Sequence, residues 1–248
     1  MISSKSVKEL CTICITANPV VDHPNITYIK QTIESLDHIQ GIEGATILLA
    51  HDGNEGNLIS DEIYAQYMDN LERYIAEAPR DFKIVSLQHR EYLTGNLKNA
   101  MRYVTTPFVF NIQHDTPFIR AVNVSTVLTD MLNHPQMKHV RFNRRPNFFK
   151  GFDKRGPNCI WEEFRTENNA YIKTNGWSAT NHIARTDYLN DLLSTVNKRS
   201  PEKFVMQMAV KPPPWREWLG TFLYGGFDEP AYTTHEDARR LVDFWSVY

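Results

Sequence analysis

Polar side chains gather at the ends of four short apolar runs. Thr16-Ala17-Asn18-Pro19, His51-Asp52-Gly53-Asn54, Gln88-His89-Arg90 and Gln113-His114-Asp115 each follow a segment rich in Ile, Leu, Val or Phe. Their carboxylates, amides and imidazoles can accept hydrogen bonds or ligate a hard divalent cation. Gln113 and Asp115 lie two apart, so on an extended chain they share one face and can meet one ligand. The adjacent pairs His51-Asp52 and His114-Asp115 point opposite ways, which makes a metal-dependent hydrolase built on either pair a weak alternative. Far down the chain, His235 in Thr233-Thr234-His235-Glu236-Asp237 offers an imidazole, which suits Mn2+ better than Mg2+, although a lone histidine is more often structural. Cys11 and Cys14 spell C-x-x-C, but in a strand residues three apart face opposite sides of the sheet, so core packing is their expected role.

The elements that must position these groups are legible from periodicity. Leu10–Thr16, Ala45–Ala50, Phe82–Leu87, Phe108–Ile112 and His139–Phe142 read as strands. Between them, apolar residues recur at helical spacing: Ile29, Ile33, Leu36 and Ile39 after a cap at Asn25, then Ile63 to Ile75, Leu97 to Val104, and Val124 to Leu132. Repeated strand–helix–strand units imply an α/β fold with a mostly parallel sheet covered on both faces. Ligands of such sheets bind beyond the carboxyl ends of the strands, where the four polar clusters fall. From Arg144 to Gly176 the chain reads as a long functional loop or a poorly ordered segment. A strand at Ala179–Ala184, a helix with Leu189, Leu192, Leu193 and Val196, and a helix opening at Ser200-Pro201 follow it.

Composition narrows the classes further. The 248 residues carry a formal net charge of −2, which gives no basic field for nucleic acid. No apolar run approaches the roughly 20 residues of a transmembrane segment. The first residues have no apolar h-region, so the expected compartment is the cytoplasm. G-x-G-x-x-G after a strand, G-x-x-x-x-G-K-[ST] and G-x-S-x-G are all missing, which removes the main support for dinucleotide oxidoreductases, P-loop enzymes and α/β-hydrolases.

In their order and spacing, Thr16-Ala17-Asn18-Pro19, Asp52, Gly95-Asn96-Leu97-Lys98-Asn99-Ala100 and Gln113-His114-Asp115 resemble the inverting, family-2-like glycosyltransferases of the GT-A (Rossmann-like) fold. The segment Gly95 to Pro117 is the closest match, and the resemblance covers roughly residues 7 to 143. It implies a nucleotide-sugar-binding half at 1–143 and an acceptor-binding and catalytic half of the same domain at 144–248. A nucleotide-sugar donor, UDP-linked by preference, and a carbohydrate or glycoprotein acceptor are the implied partners.

The resemblance also implies roles. Asp52 would accept a base N–H, and Thr16 and Asn18 would line the base and ribose. Asn96, Gln113 and His114 would complete the nucleotide slot. Lys98, in the first turn of its helix, would sit beside the diphosphate, unless it is an ordinary solvated lysine. Asp115 and His235 would hold Mn2+ or Mg2+. Gln113 stands where the family has a carboxylate, which weakens metal dependence and leaves room for a non-catalytic binding module. Trp177, Trp215, Trp218 and Tyr224 would stack on sugar rings or pack in the core. Arg144, with Arg141 and Arg145, would steady a phosphate or the acceptor, or form a solvated loop. The base that deprotonates the acceptor would be Glu202, with Asp237 in Gly225-Gly226-Phe227-Asp228-Glu229 … His235-Glu236-Asp237 as the alternative.

Overall fold

The fold is built on a strand with no solvent-facing side. All seven residues of β1 (Cys11–Ala17) are buried, as a strand covered by helices on both faces requires. The computed structural model describes residues 6–54, 59–147, 161–174, 176–196, 201 and 218–236. A short helix, α1 (Val7–Leu10), precedes β1, and α2 (Thr27–Glu34) follows it, with Asn25 accepting the Thr27 amide at 2.9 Å. Next come a two-residue strand β2 (Ile39–Gln40), β3 (Ile47–His51), α3 (Asp61–Ala76), β4 (Phe82–Ser86), α4 (Tyr92–Met101) and β5 (Phe108–Gln113). Then β6 (Val122–Asn123) leads into α5 (Val124–Asn133) and β7 (His139–Arg141). β8 (Trp161–Arg165), β9 (Ala170–Thr174), β10 (His182–Arg185), α6 (Thr186–Thr195) and β11 (Thr221–Tyr224) complete the described elements.

Nine strands form one sheet in the order β4-β3-β1-β5-β10-β7-β11-β9-β8. β4, β3, β1 and β5 are parallel neighbours, as repeated right-handed crossovers dictate. β10 runs antiparallel between β5 and β7, and β11 returns to the parallel direction beside β7. The carboxyl ends of β1, β3, β5, β7 and β11 therefore open on one edge, together with the amino end of β10.

Two apolar cores flank the sheet. One packs Ile13, Ile15 and Leu49 against Ile29 and Ile33 of α2, Tyr67 and Leu71 of α3 and Val127 and Leu128 of α5. The other packs Cys14, Leu48 and Ala50 against Leu97 and Ala100 of α4 and Leu189 and Leu192 of α6. Cys11 lies in the first core and Cys14 in the second, so the C-x-x-C pair is split by the sheet as strand alternation requires. Burial pushes the Cys14 thiol up to about 12 and Cys11 higher still, so neither is a ready thiolate.

The region expected to be a loop between Arg144 and Gly176 contains a hairpin instead. β8 and β9 pair antiparallel from Trp161↔Thr174 to Arg165↔Ala170, and β9 joins β11, so both halves of the chain share one sheet. The buried Asp130 carboxylate on α5 fastens the hairpin. It accepts hydrogen bonds from Asn168, Asn169 and Tyr171, each at 2.7 Å.

Candidate functional site

Backbone bonds tie together the carboxyl ends of β1, β3 and β5. The amide of Asp52 donates to Ala17 O and that of His114 to Thr16 O, each at 3.0 Å. Thr16 is buried, and its hydroxyl donates to Ile112 O at 3.3 Å, so it forms floor rather than rim. Asn18 lies just beyond β1, and its Oδ1 has no partner among the described residues.

Asp52 is only 1% exposed, and its oxygens hold backbone. Oδ1 accepts the amides of Gly53 at 3.0 Å and Glu91 at 2.7 Å, and Oδ2 accepts that of Tyr92 at 2.9 Å. Burial pushes this carboxyl above its ordinary value, while the three amide donors and Arg90 pull it back. These bonds pin Tyr92 in the left-handed region (φ 58) and start α4 there. The Tyr92 ring is exposed and lies under the Arg90 guanidinium at 4.7 Å. Nothing in residue types alone points to a left-handed tyrosine opening a helix.

That early start moves two residues away from their expected places. Lys98 falls in the last turn of α4, not its first. Its Nζ donates to Val196 O at 2.7 Å, capping the carboxyl end of α6 rather than facing a diphosphate. Asn96 is fully buried, and its Nδ2 donates to Ala17 O and Ala50 O, both at 2.9 Å. It staples the ends of β1 and β3 to the helix from within the core. Trp177 is a third correction. It is buried in the second core, stacked on His139 at 5.2 Å, so it is no sugar platform.

On β5 the strand end is set by Asn181, whose Oδ1 accepts the Gln113 amide at 3.0 Å. The Gln113 side chain donates to Ala179 O at 3.3 Å. His114 turns inward, and its carbonyl accepts the Thr32 hydroxyl at 2.7 Å. Asp115 turns outward and meets His235, with Nε2 3.3 Å from Oδ2. Their side chains keep 15% and 21% of their surface.

The convergence of these two residues has a backbone cause. After β11 the chain reverses at Gly225 (φ 87), where a Cβ would lie 2.5 Å from the Glu229 side chain. It then returns alongside residues 115–119. Ile119 N donates to Tyr232 O at 2.9 Å, Thr234 N to Pro117 O at 3.1 Å and Glu236 N to Asp115 O at 2.9 Å. On its other side, Tyr232 N and Thr233 N both donate to Asn143 O, and Arg144 stands exposed one residue further on.

Asp115 and His235 fit a hard or borderline divalent ion, which needs only one or two protein donors when phosphates supply the rest. Among the described residues there is no group of three or more His, Cys, Asp or Glu able to hold a metal. Glu202, Asp237 and Trp215 lie outside the described residues.

A large mostly parallel sheet with a reversed strand beside β5, and polar residues at its carboxyl edge, defines the GT-A type of fold. Solved structures share it. TarS of S. aureus, solved as residues 1–349 in complex with UDP, superposes with a TM-score of 0.52 at 13% identity, covering 91% of this chain and 60% of that one. The mannosyltransferase PcManGT of Pyrobaculum calidifontis, in complex with GDP-Man and Mn2+, gives a TM-score of 0.51 at 11% identity, covering 85% of this chain and 56% of that one. The chain thus spans less than two thirds of either structure. No known family model matches the sequence, and no curated protein matches it. No helix among the described residues is long and apolar enough to cross a membrane.

Proposed function

We propose that this chain is a glycosyltransferase that moves a sugar from a nucleotide-sugar, UDP-linked by preference, to a carbohydrate or glycoconjugate acceptor. Inversion and assistance by Mn2+ or Mg2+ are part of the proposal. The observation that carries it is the meeting of Asp115 and His235 at 3.3 Å on the open carboxyl edge of a GT-A sheet. The sequence keeps them far apart, and the strap that returns from β11 brings them together.

Asp115 and His235 would hold the metal, which when bound neutralises charge on the donor's diphosphate. Asn18 and Asp52 would meet the base above Thr16. The exposed Arg144 would steady the acceptor. Glu202 would take the proton from the acceptor hydroxyl. That oxygen then bonds to the anomeric carbon while the nucleoside diphosphate leaves from the opposite face. Asp237 is the alternative base, and it follows directly on Glu236, whose amide bonds Asp115 O.

Thermal-shift titration with UDP-, GDP- and dTDP-sugars, with and without Mn2+, tests the donor, since a ligand of the folded state raises apparent stability by mass action. Asp115→Asn should abolish the Mn2+-dependent part of the shift and leave the unliganded melting temperature unchanged. An unchanged Mn2+ dependence would remove Asp115 from the metal site. Glu202→Gln should lower transfer about a hundredfold or more with donor binding preserved. If Glu202→Gln transfers at the normal rate and Asp237→Asn does not, the base is Asp237.

The amide of Gln113, tied to Ala179 O where the family has a carboxylate, favours a second reading: a binding module of the same fold. Donor binding with no transfer to any acceptor and no donor hydrolysis would establish that reading instead.

A further inference from the structure

His235 reaches Asp115 only because the strap from Gly225 to Glu236 lies along residues 115–119, and one cluster outside the site fastens that strap. Arg120 stands five residues after Asp115. Its Nη2 pairs with Glu229 Oε1 at 2.8 Å, and its Nη1 donates to Pro230 O at 2.7 Å. The same guanidinium lies over the Tyr232 ring at 4.3 Å, and the Tyr232 hydroxyl donates to Glu229 Oε1 at 3.0 Å. One side chain therefore holds the strap at three successive points by a charged fork, a carbonyl and a ring face. A lysine offers only a point charge and cannot make all three contacts. Glu229 is fixed in turn: its carbonyl accepts the Asn147 amide at 2.7 Å, and it packs where only a glycine at 225 leaves room.

We infer that Arg120 is a positioning residue for divalent-cation binding, acting through the Glu229–Tyr232 latch to set His235 beside Asp115. This rests on the metal-assisted reading above but adds residues that touch neither metal nor donor. Partners that orient a metal ligand without touching the ion typically change metal affinity by about 10–100-fold when removed. The latch is partly exposed, at 37% for Arg120 and 29% for Glu229. Its charge pair alone therefore adds little stability, and its removal should act on the geometry of the strap more than on folding.

The test is Mn2+ titration of the whole chain by electron paramagnetic resonance, with saturating UDP present to supply the phosphates, for wild type, Arg120→Met, Arg120→Lys and Glu229→Gln. Melting temperatures and UDP affinity in EDTA are measured alongside. Arg120→Met should weaken Mn2+ by about tenfold or more, with UDP affinity in EDTA unchanged within about twofold. Arg120→Lys, which keeps the charge, should fall between, and Glu229→Gln, the substitute test if Arg120→Met proves poorly folded, should weaken Mn2+ to a similar extent. Combining Arg120→Met with Glu229→Gln should cost no more than the worse single change, because both break one unit. If Arg120→Met binds Mn2+ like wild type, the latch has no such role and the transferase reading stands. If wild type binds no Mn2+ yet UDP-sugar still raises the melting temperature, the inference and the metal fall but donor binding survives. If neither ligand binds, both readings fall together.

Discussion

Asp52 has two jobs open to it, and its oxygens show how far each can go. A carboxylate offers about four acceptor sites. Two on Oδ1 are taken by Gly53 and Glu91 and one on Oδ2 by Tyr92, which leaves a single site for a base N–H. Asp52→Ala should therefore show two effects. UDP affinity should drop about tenfold to a hundredfold, matching the 1.5–3 kcal/mol of a charge-assisted bond, and equally for UDP and UDP-sugar. The melting temperature should fall as well, because buried amides lose their acceptor and the left-handed Tyr92 loses its clamp. A fall in melting temperature with UDP binding intact would leave Asp52 as a clamp alone. Lys98 carries the opposite expectation. Bound to Val196 O, Lys98→Met should leave nucleotide affinity within about twofold and cost about 0.5–1.5 kcal/mol of stability in urea denaturation. A tenfold loss of UDP affinity would mean that α4 presents a different face to the ligand. The sequence signal that misplaced Lys98 was Gly95-Asn96, which looks like a helix start. The true start lies three residues earlier, where a tyrosine takes a conformation that propensity disfavours and a distant carboxylate enforces.

At the scale of elements, the parallel part of the sheet was legible because each strand is a bounded apolar run and each helix keeps its stripe. Observed β1, β3, β4 and β5 differ from the expected strands by one or two residues at their ends. The antiparallel half was harder to read. β8 and β9 interleave Glu162, Glu163, Arg165 and Lys173 with Phe164, Tyr171 and Ile172. That polar alternation fits an outer hairpin as well as a loop, and only pairing with β11 decides between them. What anchors the hairpin is a carboxylate from another element, Asp130, with three neutral donors. Pairings of this kind leave no local trace in a sequence. Asn96 teaches the same lesson within the site: its place in a glycine- and asparagine-rich helix start suggests a ligand contact, yet two strand-end carbonyls claim it. The meeting of Asp115 with His235 was available only as two separate candidates. Their proximity is a property of the strap that returns from β11, set by Gly225 and by the bonds to residues 115–119.

Over the whole molecule, the carboxyl edge is underlaid by histidines that the fold keeps neutral. His23, in the turn after β1, stacks on Tyr67 of α3 at 3.7 Å, and His51 at the end of β3 meets the same ring at 5.7 Å. His114, at the end of β5, lies close enough to oppose protonation of both. Burial first, and then these neighbouring imidazoles, hold His23 down to about 4 and His51 down to about 3. An unfolded chain returns them to about 6.5. Above that pH they are neutral in both states and cost nothing. As pH falls below it, the unfolded chain binds protons that the folded chain refuses, so stability is lost with acidification and the loss levels off near pH 4 for His23 and pH 3 for His51. Each would remove up to about 1.4 kcal/mol per pH unit within its window. Most carboxylates titrate below that range, so urea midpoints between pH 7.5 and 5 should report the histidines. They should fall steadily, and His23→Phe, which keeps a ring against Tyr67 without a proton site, should make the fall shallower. A midpoint that stays level from pH 7.5 to 5 would show that the imidazoles accept protons in place, and that this edge tolerates charge beneath it.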